Sequence, residues 1–272
     1  MNMPVQEIRS GVSRDYAKLV SAPNPLTDGS IAALAGYSAE ELSSLPADAA
    51  ANSFACGNPL SFATVKPGEV VLDLGSGVGV DLLLAAARVG PSGRVIGVDM
   101  TDEMIAKANA NIRAKGHDNV EVRKGLIEAL PVESGSVDWV ISNCVINLSP
   151  EKHKVFREIH RVLKPGGAML VSDLIAKDMP EELLLMPALH SSCIAGAIDE
   201  ERYLDGLREV GMTEVKVLDR LFYEREQIES YADLAFGETF IANPQMKERI
   251  PAFVRMMEGN IWSAKVYGKK PL

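Results

Sequence analysis

The stretch VLDLGSGVGVD, residues 71–81, decides the fold of this chain. A short apolar run of the kind that forms a buried strand leads into Gly75, Gly77 and Gly79, and a helical pattern follows. Glycine has no Cβ atom, so the backbone can approach a ligand closely, and the N-terminus of the next helix offers free N–H groups. The stretch therefore predicts a strand, a ligand-binding loop and a helix, in that order.

Short apolar runs recur downstream and alternate with helical patterns. The runs RVIGVD, VEVRKG, VDWVISN and AMLVSDL predict buried strands. The helical patterns between them cover residues 79–89, 102–115 and 151–163. Alternation of this kind predicts right-handed βαβ units and an α/β fold with a parallel, doubly wound sheet.

The regions around this core differ in character. Residues 5–20 have apolar positions at helical spacing, and Ser38 to Glu41 form a predicted capping box for a second helix. KPGG, residues 164–167, predicts a turn into the fifth strand. Later, residues 199–210 predict a helix, and residues 213–220 and 260–270 predict two more strands. We expect an N-terminal helical extension over 1–65, a ligand-binding core over 66–175, and an acceptor-site lid with the last strands over 176–272.

Composition limits the class of protein. The chain has 272 residues, 47% of them hydrophobic and 24% charged, which is typical of one enlarged globular domain. A net charge of −9 argues against nucleic acid and anionic membranes as partners. The N-terminal residues carry no apolar leader and no window is long enough to span a membrane, so we expect a cytoplasmic protein. Its three cysteines do not form a secreted disulfide framework, and we expect free thiols.

An acidic residue follows the glycine loop at the sequence separation that is typical of a ribose-binding carboxylate. Asp99 ends the second predicted strand, twenty residues after Gly79. A carboxylate at that point accepts the hydroxyls of a bound ribose, so the pattern favours an adenosine-containing cofactor. NAD fits less well, because its fingerprint is G-x-G-x-x-G whereas this loop reads G-x-G-x-G, and no second βαβαβ unit follows the fifth strand.

These motifs resemble those of class I S-adenosylmethionine-dependent methyltransferases, over roughly residues 70–220 and the final strand. The resemblance implies a Rossmann-like, seven-stranded sheet whose last strand is antiparallel. It also implies that Asp73 and the loop glycines hold the methionyl part of the cofactor and that Asp99 holds the ribose. It further implies that Met100 and residues 126–128, with Ile127 and Glu128 among them, hold the adenine. Asn143, at the carboxyl end of the fourth predicted strand, is also expected to bind the cofactor.

The three cysteines stand in three separate segments. Cys144 follows the fourth predicted strand, at the edge of the sheet where an acceptor is expected. Cys56 lies in a loop rich in glycine, asparagine and proline, where a buried strand or helix is not expected, and Cys193 lies in the predicted lid. Their spacing fits no zinc motif built from local C-x-x-C pairs. Three thiolates without a fourth ligand suit a soft ion such as trivalent arsenic.

The segments around the cysteines resemble the arsenite methyltransferase family. The matching stretches are SNCVINLSPEKHKVFREIHRVLKPGG, SFACGNP, CIAGA, GVDMT and RKGLIEALP, together with Tyr16. The resemblance implies that Cys144 and Cys193 hold As(III) of arsenite or methylarsenite, and that Cys56 is the third thiol of a redox cycle. Whether Cys56 ligates arsenic or only exchanges disulfides stays open. Glutathione or thioredoxin is the implied reductant.

Two other functions remain open at this point. One is a methyltransferase for a small organic acceptor such as a quinone, in which the cysteines would be incidental. The other is a cysteine-based arsenic-binding protein without catalysis, such as a sensor. The three cysteines argue against the first, and the complete cofactor set between residues 73 and 99 argues against the second.

Overall fold

The structure of the protein is a computed structural model. It describes residues 4–21, 32–33, 35–53, 55–177, 193–194, 196–223, 225, 228 and 250–272, with the backbone alone for residues 250–253. Most of the predicted lid, residues 178–192, thus lies outside the described residues.

A seven-stranded sheet forms the centre of the molecule. Its strands are β1 (Val70–Leu74), β2 (Arg94–Asp99), β3 (Val120–Lys124), β4 (Val137–Asn143), β5 (Leu163–Ala176), β6 (Thr213–Phe222) and β7 (Ile261–Lys269). They lie in the order β3-β2-β1-β4-β5-β7-β6. Strands β1 to β5 are parallel to one another, and β7 is antiparallel to both β5 and β6. The predicted doubly wound sheet with an antiparallel last strand is confirmed.

Helices pack around this sheet. The described ones are α1 (Val5–Ser21), α2 (Ala39–Ser44), α3 (Ala47–Ala51), α4 (Val80–Val89), α5 (Asp102–Lys115), α6 (Lys152–Val162), α7 (Glu200–Glu209) and α8 (Ile250–Met257). Helix α2 begins with the predicted capping box, in which Ser38 and Glu41 each bond the other's backbone N–H. Among the described residues no helix is both long and apolar enough to cross a membrane.

KPGG, residues 164–167, does not form the predicted turn before the fifth strand. Strand β5 already begins at Leu163, so these residues belong to the strand instead of preceding it. Val137 pairs with Leu163 and Trp139 pairs with Ala168, so β5 bulges over this stretch. Gly166 has a φ of 79°, which makes the detour possible without strain.

Two apolar layers cover the two faces of the sheet. One contains Val71 and the buried face of α4, and the other contains Leu72, Phe156 and Tyr203. Because strands β1 to β5 are parallel, their carboxyl ends lie at the same edge of the sheet. The loops that follow β1, β2 and β4 therefore surround one cavity, and a third, smaller apolar cluster containing the cysteines lies beside it.

Candidate active site

A cavity of about 1040 Å³, part of it open to solvent, lies at the carboxyl ends of β1, β2 and β4. Strand ends in a doubly wound sheet are the expected place for a ligand. The predicted cofactor residues that line it are Asp73, Gly75, Gly77, Asp99, Met100, Ile127, Glu128 and Asn143. Gly79 has another position: it caps the N-terminus of α4 and packs against Ala108.

The glycine loop leaves room for a ligand. Gly75 and Gly77 have φ angles of 62° and 51°, in the left-handed region that favours glycine. A side chain at Gly75 would collide with Val145, so this glycine permits close packing of the two loops. A Cβ at Gly77 would meet nothing nearer than the Gly75 carbonyl at 4.0 Å, so this part of the loop faces open space. The loop thus fits a ligand that approaches its backbone.

Asp99 is held in a fixed orientation at the end of β2. Its Oδ2 accepts a hydrogen bond of 3.0 Å from the Gly77 N–H, and its Oδ1 accepts one of 2.8 Å from the Thr101 N–H. Asp99 also lines the cavity, so its carboxylate is within reach of a ligand there. This arrangement suits two neighbouring hydroxyls of a ribose.

The cavity is acidic. Burial raises the pKa of Asp73 well above its usual value, and the charges of Asp81 and Asp99 raise it further. Burial also raises the pKa of Asp81, to about 6. The hydrogen bonds from Tyr37 and Asn143 lower this pKa, but burial has the larger effect. Clustered buried carboxylates are stabilised by a positive ligand. The cavity therefore favours a cation over a pyrophosphate.

Helix α1 forms one wall of the cavity through Arg9, Val12 and Tyr16. Arg9 bonds Glu128 at 3.0 Å and Glu151 at 2.7 Å, so its charge is neutralised within the wall. Glu128 lines the cavity, but its carboxylate Oε1 is already bonded by Arg9 and by the Ser149 hydroxyl at 2.7 Å. A role for Glu128 toward an adenine ring stays a prediction.

Cys56 and Cys144 form a disulfide in this structure. The expectation of three free thiols is therefore wrong for this form of the protein. Cys56 lies outside the strands and helices, as expected, but it is nevertheless buried, with 1% exposed. The reason lies in the packing of the Cys56 loop. Gly57 lies so close to Ser172 of β5 that a Cβ there would be 2.6 Å from the serine Cβ. This contact brings the two cysteine Cα atoms to 5.9 Å, within the range that a disulfide requires.

Cys193 is the free cysteine, and it lies against Cys144. Its buried Sγ donates a hydrogen bond of 2.7 Å to the Cys144 carbonyl. Burial raises the pKa of the Cys193 thiol, and the Asp173 carboxylate raises it further. An oxygen of Asp173 and the sulfurs of Cys56 and Cys144 all lie within 4.8 Å of one another. Cys56 and Cys144 thus lie together with Asp173, and Cys193 contacts this pair through the Cys144 carbonyl.

Two of these cysteines have an unusual backbone. Cys144 and Cys193 have φ angles of 60° and 64°, in a region that residues with a Cβ seldom adopt. Among the described residues only Glu214 is a third non-glycine case. Conformations of this kind persist where the surrounding structure enforces them, and they are common at functional sites.

Known proteins resemble this chain in sequence and in fold. A family model described as a methyltransferase domain matches residues 65–214. The arsenite methyltransferase of Halobacterium salinarum is 44% identical over 219 residues, which cover 80% of this chain and 55% of that protein. The crystal structure of CrArsM, an arsenic(III) S-adenosylmethionine methyltransferase from Chlamydomonas reinhardtii, is 32% identical with a TM-score of 0.64, and the match covers 92% of this chain and 75% of that one.

This chain belongs to the arsenite methyltransferase family. A second relative, the arsenite methyltransferase of Aquipseudomonas alcaligenes, is 40% identical over 186 residues. These residues cover 65% of this chain and 53% of that protein, so the chain spans about half the length of the two sequence relatives.

Sequence reasoning missed several cavity residues of this family member. Tyr37 donates hydrogen bonds of 2.9 and 3.0 Å to the two carboxylate oxygens of Asp81, and both residues line the cavity with Arg9. The sequence gives a signal for Asp81, since it stands two residues after the last loop glycine, in the first turn of α4. Tyr37 and Arg9 had none, because their distance from the glycine loop depends on how the N-terminal helices pack.

Proposed function

We propose that the protein is an arsenite methyltransferase, which transfers methyl groups from S-adenosylmethionine to trivalent arsenic bound by its cysteines. The observation that carries this proposal is the convergence of Cys56, Cys144 and Cys193 beside an acidic cavity at the end of β4. Membership of the arsenite methyltransferase family supports it. The expected consequence for the cell is detoxification of arsenite.

The residues of the cavity fit the cofactor. Bound S-adenosylmethionine supplies an activated methyl carbon on a sulfonium, and it leaves as S-adenosylhomocysteine after transfer. The acidic residues Asp73 and Asp81 would stabilise its positive charges, and the oriented carboxylate of Asp99 would accept hydrogen bonds from its ribose hydroxyls. Met100 and Ile127 would contact the adenine ring from the cavity wall.

We propose that Cys144 and Cys193 hold arsenic during transfer. As(III) is soft and pyramidal and suits thiolate ligands, and its own lone pair attacks the methyl carbon. The acceptor therefore needs no general base, and the role of the protein is to hold arsenic in line with the sulfonium. Burial of Cys193 favours this role, because it excludes water from the arsenic ligands.

We propose that Cys56 completes a redox cycle. Methyl transfer converts As(III) into As(V), and two electrons must return before the next transfer. Two thiolates that become a disulfide supply these two electrons, and the Cys56–Cys144 disulfide is such a product. Glutathione or thioredoxin would then reduce it. In this proposal residues 1–65 cover the cofactor, residues 66–175 bind it, and residues 176–272 enclose the acceptor.

The test is to incubate the purified protein with arsenite, glutathione and S-adenosylmethionine and to quantify methylated arsenic by chromatography with mass detection. We expect Cys144→Ser and Cys193→Ser to abolish methylation, because each removes an arsenic ligand. Cys56→Ser should retain the first methyl transfer and slow turnover. Full activity of Cys144→Ser would contradict the assignment, and a wild-type protein that binds both ligands without forming methylarsenic would contradict the function.

A further inference from the structure

The side chain of Asn143 lines the cavity and also forms several hydrogen bonds with other segments of the chain. Its Oδ1 accepts a hydrogen bond of 3.1 Å from the Cys56 N–H, and its Nδ2 donates one of 2.5 Å to the Gly57 carbonyl. The same Nδ2 lies 2.9 Å from the Tyr37 hydroxyl. One amide thus bonds both ends of the Cys56–Gly57 peptide segment and also reaches across to the N-terminal region.

The Cys56 loop is held by hydrogen bonds in addition to its disulfide. The Tyr223 hydroxyl donates a hydrogen bond of 3.0 Å to the Cys56 carbonyl. Together with the two bonds from Asn143 this fixes the backbone on both sides of the cysteine, and Gly57 is packed against Ser172. These contacts keep Cys56 near Cys144, so the disulfide re-forms within the chain at a high effective concentration.

The opposite side of the amide belongs to the cofactor cavity. Tyr37 bonds the buried carboxylate of Asp81, and Asn143 Nδ2 lies 3.3 Å from Asp81 Oδ2. All three of these side chains line the cavity. A bound cation that attracts the Asp81 carboxylate therefore acts on a network in which Asn143 is the link to the Cys56 loop.

From these contacts we infer that Asn143 is a positioning residue that couples cofactor binding to the pairing of Cys56 with Cys144. The inference rests on the proposed function for the identity of the cofactor. Coupling between two binding equilibria is reciprocal. If the disulfide sets the position of the amide, then the affinity for S-adenosylmethionine differs between the oxidised and the reduced protein, and the cofactor shifts the reduction equilibrium by the same factor.

The test measures cofactor binding without arsenic. The dissociation constant for S-adenosylmethionine is determined by calorimetry for the disulfide form and for the form reduced with dithiothreitol. Dithiothreitol supplies two electrons and two protons to the disulfide, yields two thiols and becomes its own cyclic disulfide. Mass spectrometry after alkylation confirms each state. We expect the two dissociation constants of the wild type to differ at least about fivefold, the lower end of typical coupling.

Three variants distinguish a positioning role of Asn143 from a general effect on the stability of the protein. In Asn143→Ala the ratio of the two constants should fall close to one. Asn119→Ala is the matched control, because its amide also bonds two backbone carbonyls, those of Gly90 and Gly93, far from the cavity. This control should keep the wild-type ratio. Tyr223→Phe removes the hydroxyl that bonds the Cys56 carbonyl and should reduce the ratio while leaving the affinity of the reduced protein unchanged.

A wild-type ratio of one, or an unchanged ratio in Asn143→Ala, overturns the inference. If Asn143→Ala does not fold, Tyr223→Phe decides: an unchanged ratio in that variant overturns the inference. Failure of the proposed function gives a different result. A protein that does not bind S-adenosylmethionine in either state overturns both proposals. If the two dissociation constants differ as expected but arsenite is not methylated, only the choice of acceptor is overturned.

Discussion

Replacing Asp99 with asparagine should weaken the binding of S-adenosylmethionine by about 30-fold. The carboxylate is fixed by the Gly77 and Thr101 N–H groups, at 3.0 and 2.8 Å, and it lines the cavity. In the proposed role it accepts hydrogen bonds from two ribose hydroxyls. A hydrogen bond to a charged group is worth about 1 kcal/mol more than a neutral one, so two bonds lose about 2 kcal/mol, or about 30-fold in affinity.

Titration calorimetry of the Asp99→Asn variant checks this value. The asparagine NH₂ group also leaves one backbone N–H without an acceptor, so thermal unfolding of the free protein is measured separately. Asp102→Asn is the control, because that side chain is 72% exposed and pairs with Lys124 on the surface. A dissociation constant for Asp99→Asn within about threefold of the wild type would refute the assigned role of this carboxylate.

Three further predictions follow from other parts of the site. Gly57→Ala places a Cβ 2.6 Å from that of Ser172 and should lower the free energy of unfolding by about 1–3 kcal/mol in urea titrations, whereas Gly11→Ala, with no atom within 4 Å, should not destabilise the protein. Burial raises the pKa of Asp81 to about 6, so protonation below that pH removes an attractive charge, and the affinity for S-adenosylmethionine should fall with falling pH. The affinity for S-adenosylhomocysteine, which lacks the sulfonium charge, should fall less; equal pH profiles would contradict this. Cys56→Ser frees its disulfide partner, so mass spectrometry after alkylation of non-reduced protein should detect one additional labelled cysteine.

Local patterns in the sequence predict most of the fold. The strand in RVIGVD and the helix over 102–115 appear at the predicted residues, because apolar periodicity reflects burial that neighbouring residues largely determine. The start of β5 is different. KPGG has the composition of a turn, but pairing with β4 and β7 extends the strand through it, and such tertiary pairing is not visible in a local pattern.

In the site, too, local patterns predict some residues, whereas tertiary contacts determine others. Asp99 and the loop glycines can be predicted, because a strand, a turn and a helix fix their positions along a short stretch of chain. Tyr37 cannot, because it reaches Asp81 across 44 residues through the packing of short helices. The pairing of Cys56 with Cys144 also depends on distant contacts. It requires the Gly57 backbone to lie on β5, and nothing in the sequence near either cysteine indicates that contact.

In the proposed function, the state of the cysteines determines whether the protein can bind arsenic. Cys144 is bonded to Cys56, and the Cys193 thiol donates a hydrogen bond to the Cys144 carbonyl, so the structure offers no pair of thiolates. Reduction of the disulfide releases the Cys144 thiol in the segment that Cys193 contacts. We therefore expect that a reductant is required before arsenic binds as well as after the methyl group is transferred. Asn143 and Tyr223 bond the Cys56 backbone in addition to the disulfide, so the released Cys56 thiol should stay close to Cys144 and re-form the disulfide when arsenic is reduced by two electrons.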